Sequence, residues 1–83
     1  MADIKVYGAD WCPLTTRALA HLDGLGVEYQ YIDVEQDKQA AQWVREQNDG
    51  KEKKPTIDVS GEILSEPSNK ELDQALKAKA LLS

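Results

Sequence analysis

The 83-residue sequence has few of the residues that cross-link a small protein or anchor it in a membrane. It contains one cysteine, and no apolar run approaches the roughly 20 residues of a membrane span. A single thiol excludes both an internal disulfide and a cysteine-rich zinc site, so packing must stabilise the fold. Ten Lys and Arg residues against fifteen Asp and Glu give a net charge of −5. Such a chain lacks the positive field on which binding of nucleic acid or anionic lipid depends, and we expect neither partner.

The N-terminal segment also lacks an uninterrupted apolar core. Asp3 and Lys5 place charges where a signal peptide would have its apolar core. We therefore expect a cytoplasmic protein without membrane contact, in a reducing compartment where a lone cysteine stays a thiol unless it is reactive. The length predicts one compact domain over residues 1–83, and we expect this domain to be a monomer.

Short segments rich in apolar and β-branched residues alternate with segments of helical periodicity. The predicted strands cover residues 4–7, 29–34, 56–59 and 62–64. Ser60-Gly61 is predicted to join the last two strands in a tight two-residue hairpin.

Capping residues mark the first two helices. Proline is favoured at the first helical position, so the first helix should begin at Pro13, and Gly24 and Gly26 should close it. Asp37 is predicted to cap the second helix, which Asn48-Asp49-Gly50 terminates.

The third helix and the element order complete the predicted fold. Pro67 and Ser68 should open this helix, where Ser68 and Glu71 have the spacing of a capping box. Its predicted apolar face consists of Leu72, Ala75, Leu76 and Ala80. Since a helix joins the first two strands, they should be parallel, and the hairpin should add two antiparallel strands. This order predicts an α/β fold with a four-stranded mixed sheet and helices on both faces.

Cys12 is the residue that points most directly to chemistry. It lies just before the helix that begins at Pro13, so the free N–H groups of the first turn and the positive end of the helix dipole face its sulfur. Such positions lower a thiol pKa from about 8.5 to between roughly 3.5 and 7.5, and the thiolate is the nucleophile in disulfide exchange. Thr15, one turn later, is placed to donate a further hydrogen bond to the sulfur.

A lone cysteine is more often a small buried apolar residue than a nucleophile. The surface end of a helix, directly before Pro13, is a poor place to bury a thiol. We therefore expect Cys12 to be exposed, and this expectation favours the reactive interpretation.

Two segments carry a family resemblance: Trp11-Cys12-Pro13-Leu14-Thr15 after the first strand, and Lys54-Pro55-Thr56-Ile57 at the third. Over nearly its whole length the sequence resembles the glutaredoxin branch of the thioredoxin fold. Trp43-Val44, Asn48-Asp49-Gly50 and Pro67-Ser68 make it most similar to small mycoredoxin and NrdH-like glutaredoxins. The resemblance implies the thioredoxin fold, βαβαββα. It also implies that Cys12 is the nucleophile, and that Pro55 follows a cis peptide bond whose neighbouring backbone pairs with the thiol substrate.

The residue pattern and the resemblance together define the candidate site. Cys12 and Thr15 are the expected catalytic residues. The expected substrate-binding residues are Trp11, Pro13, Lys54, Pro55, Thr56 and Ser68. No metal site is expected, and His21 is predicted to lie on a helix surface. The cations of the Lys51–Lys54 run either attract an anionic thiol or belong to a solvated loop.

Two departures from the family pattern shape the predicted activity. Thr15 stands where dithiol members have a second cysteine, so only a monothiol cycle is available, in which a small thiol from solution releases Cys12. Residues 64–68 differ from the Gly-Gly-x-Asp segment that helps to hold glutathione. Glutathione, mycothiol or a protein thiol are therefore all open as co-substrate, and no tightly bound cofactor is expected.

The predicted function is a thiol-disulfide oxidoreductase that reduces mixed disulfides between proteins and a low-molecular-weight thiol through Cys12. One alternative is an iron–sulfur cluster carrier, in which two protomers each contribute one cysteine. Cluster-carrying relatives resemble a Cys-Gly-Phe-Ser pattern, however, and Pro13 is stiffer than that glycine. The other alternative is a thioredoxin-fold binding module whose cysteine does not turn over.

Overall fold

The computed structural model describes residues 3–82. The elements along the chain are β1 (Ile4–Gly8), α1 (Pro13–Leu25), β2 (Gln30–Asp33), α2 (Lys38–Gln47), β3 (Thr56–Val59), β4 (Glu62–Ser65) and α3 (Asn69–Ala78). The predicted element order is confirmed, and each strand end lies within one residue of its predicted position. Among these residues, no helix combines the length and the apolar character needed to cross a membrane.

The four strands form one mixed sheet in the order β2-β1-β3-β4. β1 is parallel to β2 and antiparallel to β3, and β4 is antiparallel to β3. This is the topology of the predicted thioredoxin fold. Tyr7 pairs with Thr56, and Thr56 pairs with Ser65, so the end of β1, the start of β3 and the end of β4 meet at one end of the sheet. The loop that carries Cys12 follows β1 at that end.

Apolar side chains cover both faces of the sheet, because successive residues of a strand point to opposite faces. The larger cluster joins β1 and β3 to α1 and α3, and its buried members are Ile4, Val6, Ala18, Leu22, Ile57, Val59, Leu72, Ala75 and Leu76. The smaller cluster contains Val34 together with Ala41 and Val44 of α2. Tyr7 and Trp43 pack against it, with ring centroids 4.4 Å apart.

The predicted caps of α2 and α3 are confirmed. Asp37 accepts a hydrogen bond from the Ala40 N–H at 3.0 Å. At α3, the Ser68 hydroxyl accepts from the Glu71 N–H, while the Glu71 carboxylate accepts from the Ser68 N–H, which completes the capping box.

Two predicted details of the helix ends are wrong. Gly24 does not close α1, because it lies inside the last turn of the helix. Gly26 closes it as predicted, with a φ of 71°, a left-handed conformation that glycine adopts without steric cost. Ala80 lies beyond α3 and is exposed, so it is not part of the apolar face. Its φ of 58° ends the helix, and the Leu81 N–H turns back to the Leu76 carbonyl at 2.8 Å.

Candidate active site

Cys12 lies at the N-terminus of α1 and is more buried than predicted. Its N–H donates to the Ala9 carbonyl at 3.1 Å, which folds the loop back towards β1. Its Sγ lies 3.6 Å from the carbonyl oxygen of Lys54, in the segment before β3. The residue is only 7% exposed, so the expectation of an exposed thiol is wrong. A distant segment of the chain packs against the helix start, and helix position alone does not reveal such contacts.

The first turn of α1 surrounds the sulfur with hydrogen-bond donors. The N–H groups of Leu14 and Thr15 donate to it, and so does the Thr15 hydroxyl. The same hydroxyl accepts the N–H of Ala9 at 3.4 Å, and Thr15 is 1% exposed. The Thr15 side chain is therefore held between the loop and the sulfur.

These contacts set the protonation of Cys12. Burial by itself raises the pKa of the thiol. The hydrogen bonds from the Thr15 N–H, the Thr15 hydroxyl and the Leu14 N–H act in the opposite direction, as does the positive charge of Lys54. Their combined effect lowers the pKa of Cys12 below its ordinary value, which increases the fraction of nucleophilic thiolate.

Gly8 is a site residue that the sequence analysis did not identify. A Cβ at this position would lie 2.5 Å from Thr15 Cγ2 and 2.6 Å from Thr15 Oγ1. The last residue of β1 must therefore lack a side chain for Thr15 to occupy its position beside Cys12.

Trp11 and Lys54 lie together beside Cys12. Trp11 is 66% exposed, and its indole N–H donates to Glu35 Oε1 at 2.8 Å. Lys54 Nζ lies 5.3 Å from the centroid of the Trp11 ring, within the range of a cation–π interaction. The same ammonium group lies 3.4 Å from Glu52 Oε1. Of the Lys51–Lys54 run, Lys54 is thus the cation held against the site.

The peptide bond between Lys54 and Pro55 is cis, as the resemblance implies. Pro55 is buried, and its carbonyl accepts the Glu66 N–H at 2.8 Å. Thr56 is fully buried, and its hydroxyl donates to the Lys53 carbonyl at 2.8 Å. The side chain of Thr56 is therefore engaged inside the protein, and a substrate contact at this residue would involve its backbone.

Asn48 supports this segment, although the sequence analysis assigned it only to the end of α2. It is 8% exposed, and its amide group donates to the Val44 carbonyl at 2.7 Å and to Thr56 Oγ1 at 3.2 Å. Its side-chain oxygen accepts the Ser65 hydroxyl. Asparagine is common at helix ends, so nothing in the sequence separates this buried link from an ordinary terminus.

Pro13 and Ser68, both candidate binding residues, lie at helix starts. Pro13 is exposed as the first residue of α1. The Ser68 hydroxyl accepts from the Glu71 N–H at 3.1 Å, and the Ser68 N–H donates to Glu71 Oε1 at 2.8 Å. The structure thus brings Trp11 and Lys54 to Cys12, whereas these Ser68 groups are engaged within the α3 cap.

An acidic environment adjoins the site next to Thr15. The Tyr31 hydroxyl donates to Asp10 Oδ1 at 2.7 Å. Burial, this hydrogen bond and the nearby negative charges raise the pKa of Tyr31, so it stays a neutral phenol. Asp10, Thr15 and Tyr31 also line an open cavity of about 300 Å³.

Known proteins are similar to this chain in sequence and in fold. The glutaredoxin family profile matches residues 4–64. Mycoredoxin 1 of Corynebacterium glutamicum is 43% identical over 60 residues, which cover 72% of this chain and 73% of that protein. A thioredoxin-like protein of known structure superposes with a TM-score of 0.82 at 27% identity, covering 93% of this chain and 97% of the other.

A glutaredoxin from Archaeoglobus fulgidus gives a TM-score of 0.78 at 22% identity, covering 93% of this chain and 88% of the other, and this likeness shows the fold. The family profile spans well over half of the chain, and Mycoredoxin 1 is similar across more than two thirds of it. The chain therefore belongs to the glutaredoxin family of thiol-disulfide oxidoreductases and has the thioredoxin fold.

Proposed function

We propose that this glutaredoxin reduces mixed disulfides between proteins and a low-molecular-weight thiol in a monothiol cycle, with Cys12 as the nucleophile. The observation that carries the proposal is the environment of the sulfur. Three donors from Leu14 and Thr15 and the charge of Lys54 favour the thiolate. The chain has no second cysteine to resolve an intermediate, which supports the monothiol form of the reaction.

The cycle consists of two disulfide exchanges. The Cys12 thiolate first attacks the small-thiol sulfur of the mixed disulfide, whose S–S bond breaks and releases the protein thiolate. Cys12 then carries the small thiol as a disulfide. A second small thiol, as its thiolate, attacks that adduct and leaves as a symmetric disulfide, which returns Cys12 as a thiolate. The net reaction consumes one free small thiol: that thiol and the mixed disulfide give the protein thiol and a symmetric small-thiol disulfide.

We assign the other candidate residues the following roles in this cycle. Thr15 stabilises the thiolate through its hydroxyl. Substrate contacts are assigned to the side chains of Trp11, Pro13 and Lys54, and backbone pairing with the substrate is assigned to Pro55-Thr56. Ser68, at the start of α3, is assigned a peripheral contact with the substrate. The similarity to Mycoredoxin 1 supports mycothiol as co-substrate, and membership of the family supports glutathione.

The test combines the thiol pKa with turnover. The pKa of Cys12 is measured from the ultraviolet absorbance of the thiolate during a pH titration, and reduction of a small mixed disulfide is followed with glutathione or with mycothiol. We expect a pKa below that of free cysteine and turnover with at least one of the two thiols. A Cys12→Ser variant is the control. An unshifted pKa together with turnover no faster than that of the variant would overturn the proposal.

A further inference from the structure

Lys54 belongs to a chain of charged side chains beside Cys12. Its side chain is only 15% exposed, and Nζ lies 3.4 Å from Glu52 Oε1. The other Glu52 oxygen, Oε2, lies 2.9 Å from Arg45 Nη1. Together with the Trp11 ring 5.3 Å away, these contacts fix the ammonium group between an aromatic face and a carboxylate.

Lys54 lies beside the sulfur that a disulfide must reach. The sulfur lies 3.6 Å from the Lys54 carbonyl, and the Lys54 ammonium lies over Trp11, the residue directly before Cys12. Cys12 itself is 7% exposed. The side chain of Lys54 is therefore a cationic group beside the position that an attacked disulfide occupies.

Glu52 occupies a place on Lys54 that a substrate carboxylate can take. Replacing one carboxylate by another on the same ammonium group keeps Lys54 in an ion pair, so the exchange costs little. Arg45 keeps its contact with Glu52 Oε2 during this exchange, so the displaced carboxylate retains a partner.

Charges of both signs lie near Cys12. Lys54 lies with Trp11, whereas Asp10 accepts the Tyr31 hydroxyl in the acidic environment next to Thr15. A substrate carboxylate is attracted by Lys54 and repelled by Asp10 and by Glu35, which accepts the Trp11 indole N–H, so these charges favour its binding at Lys54.

We propose that Lys54 selects disulfides that carry a carboxylate close to the sulfur attacked by Cys12, and that Glu52 is the internal carboxylate that such a substrate displaces. This inference rests on the proposed function, since it names the substrate class of the same site. The carboxylate takes part only in binding. In the chemical step the Cys12 thiolate forms a new S–S bond, the substrate S–S bond breaks, and the other sulfur leaves as a thiolate.

The test compares two small disulfides in a single reaction with Cys12: dithiodiglycolate, which is anionic, and bis(2-hydroxyethyl) disulfide, which is neutral. Formation of each mixed disulfide is timed by mass spectrometry. The ratio of the anionic rate to the neutral rate is the readout, because a change in the thiolate fraction affects both probes alike. We expect Lys54→Met to lower this ratio about fivefold and Glu52→Gln to raise it about twofold.

Matched variants separate this effect from overall charge. Glu62→Gln removes the same charge as Glu52→Gln, but Glu62 pairs with Val59 and lies at the opposite end of the sheet. We expect this variant to keep the wild-type ratio. Lys51→Met removes an exposed cation three residues from Lys54. An unchanged ratio in Lys54→Met, an equal fall in Lys51→Met, or a failure of Glu52→Gln to raise the ratio would overturn the proposal.

A second pair of probes identifies the source of the carboxylate. Two cysteine peptides, with Asp or Asn beside the cysteine, are each supplied as a mixed disulfide with 2-mercaptoethanol. A Lys54-dependent preference for the Asp peptide assigns the carboxylate to the protein half. A preference confined to dithiodiglycolate assigns it to the small thiol.

The rate ratio is measured in a single reaction of Cys12 and requires no turnover. The proposed substrate class and the proposed function are therefore tested independently. Turnover by a wild-type protein whose rate ratio does not depend on Lys54 would overturn the substrate class alone. A Lys54-dependent ratio without turnover would overturn the proposed function alone.

Discussion

Thr15 shows what a hydroxyl does where dithiol relatives have a second cysteine. It accepts the Ala9 N–H and donates to the Cys12 sulfur, in a space that Gly8 leaves open. A hydroxyl cannot displace a thiol from a disulfide. In the proposed cycle, Thr15 would therefore stabilise the attacking thiolate but could not resolve the adduct that forms.

Replacing Thr15 with valine keeps its shape and removes the hydroxyl. Because a hydrogen bond to the thiolate lowers the pKa of Cys12, we expect Thr15→Val to raise it. Less thiolate is then present near neutral pH, so alkylation of Cys12 by iodoacetamide should slow about fivefold there. At a pH above both thiol pKa values the variant should no longer be slower than the wild type, because a thiolate of higher pKa is at least as nucleophilic. The pH profile of the alkylation rate measures both effects.

Thr16→Val is the matched control, because the Thr16 hydroxyl donates to the Cys12 carbonyl at 3.3 Å and not to the sulfur. We expect its pH profile to match the wild type. Equal shifts in both variants would show that the hydroxyl of Thr15 has no specific role.

For single residues, the sequence predicts where a residue lies in a helix or loop better than it predicts which distant residues surround it. The place of Cys12 before Pro13 follows from local pattern, and so do the donors of the first turn. The contact of Cys12 with Lys54, 42 residues away, depends on how β3 joins the sheet. The burial of Cys12 and the role of Asn48 arise from such long-range contacts, which a local pattern does not contain.

At the scale of elements, α1 has Cys12 at its N-terminus and packs against α3 further along its length. His21, expected on a helix surface, is half-buried and bonds Asp73 Oδ1 at 2.7 Å. The boundaries of the elements were predictable because caps and turns are local signals, as Asp37 and the Ser68 capping box show. The end of α1 was harder to predict, because glycine is favoured just after a helix and Gly24 and Gly26 both fit that position.

Alanine substitutions at Gly24, inside α1, and at Gly26, which closes it, should change the stability of the protein in opposite directions. A Cβ at Gly24 meets nothing within 4 Å, so Gly24→Ala should stabilise the protein by about 0.5–1 kcal/mol through helix propensity. Gly26 has a φ of 71°, where a side chain is strained, so Gly26→Ala should lower the free energy of unfolding. Urea denaturation measures both values. A destabilised Gly24→Ala variant would contradict the placement of Gly24 inside the helix.

At the scale of the whole molecule, Asn48 joins parts that are distant in sequence. Its side chain contacts α2, β3 and the end of β4 at the same end of the sheet as Cys12. Buried polar groups that lose a partner are costly. The packing of α2 against this end therefore depends on one amide as well as on the apolar cluster of Val34, Ala41 and Val44.

Asn48→Ala leaves the Ser65 hydroxyl and the Val44 carbonyl without this partner, and we expect it to lower the free energy of unfolding by about 1–3 kcal/mol. Gln42→Ala, at an exposed position of α2, is the control and should change stability by no more than about 0.5 kcal/mol. Both are measured by urea denaturation. Similar values for the two variants would contradict a linking role for Asn48.

Steady-state kinetics with both substrates varied test the monothiol cycle most directly. The protein thiol leaves before the second small thiol attacks, so double-reciprocal plots at several thiol concentrations should be parallel, as in ping-pong kinetics. At limiting thiol, mass spectrometry should find the small thiol bound to Cys12. Intersecting plots without this adduct, or equal turnover by Cys12→Ser, would contradict Cys12 as the covalent nucleophile.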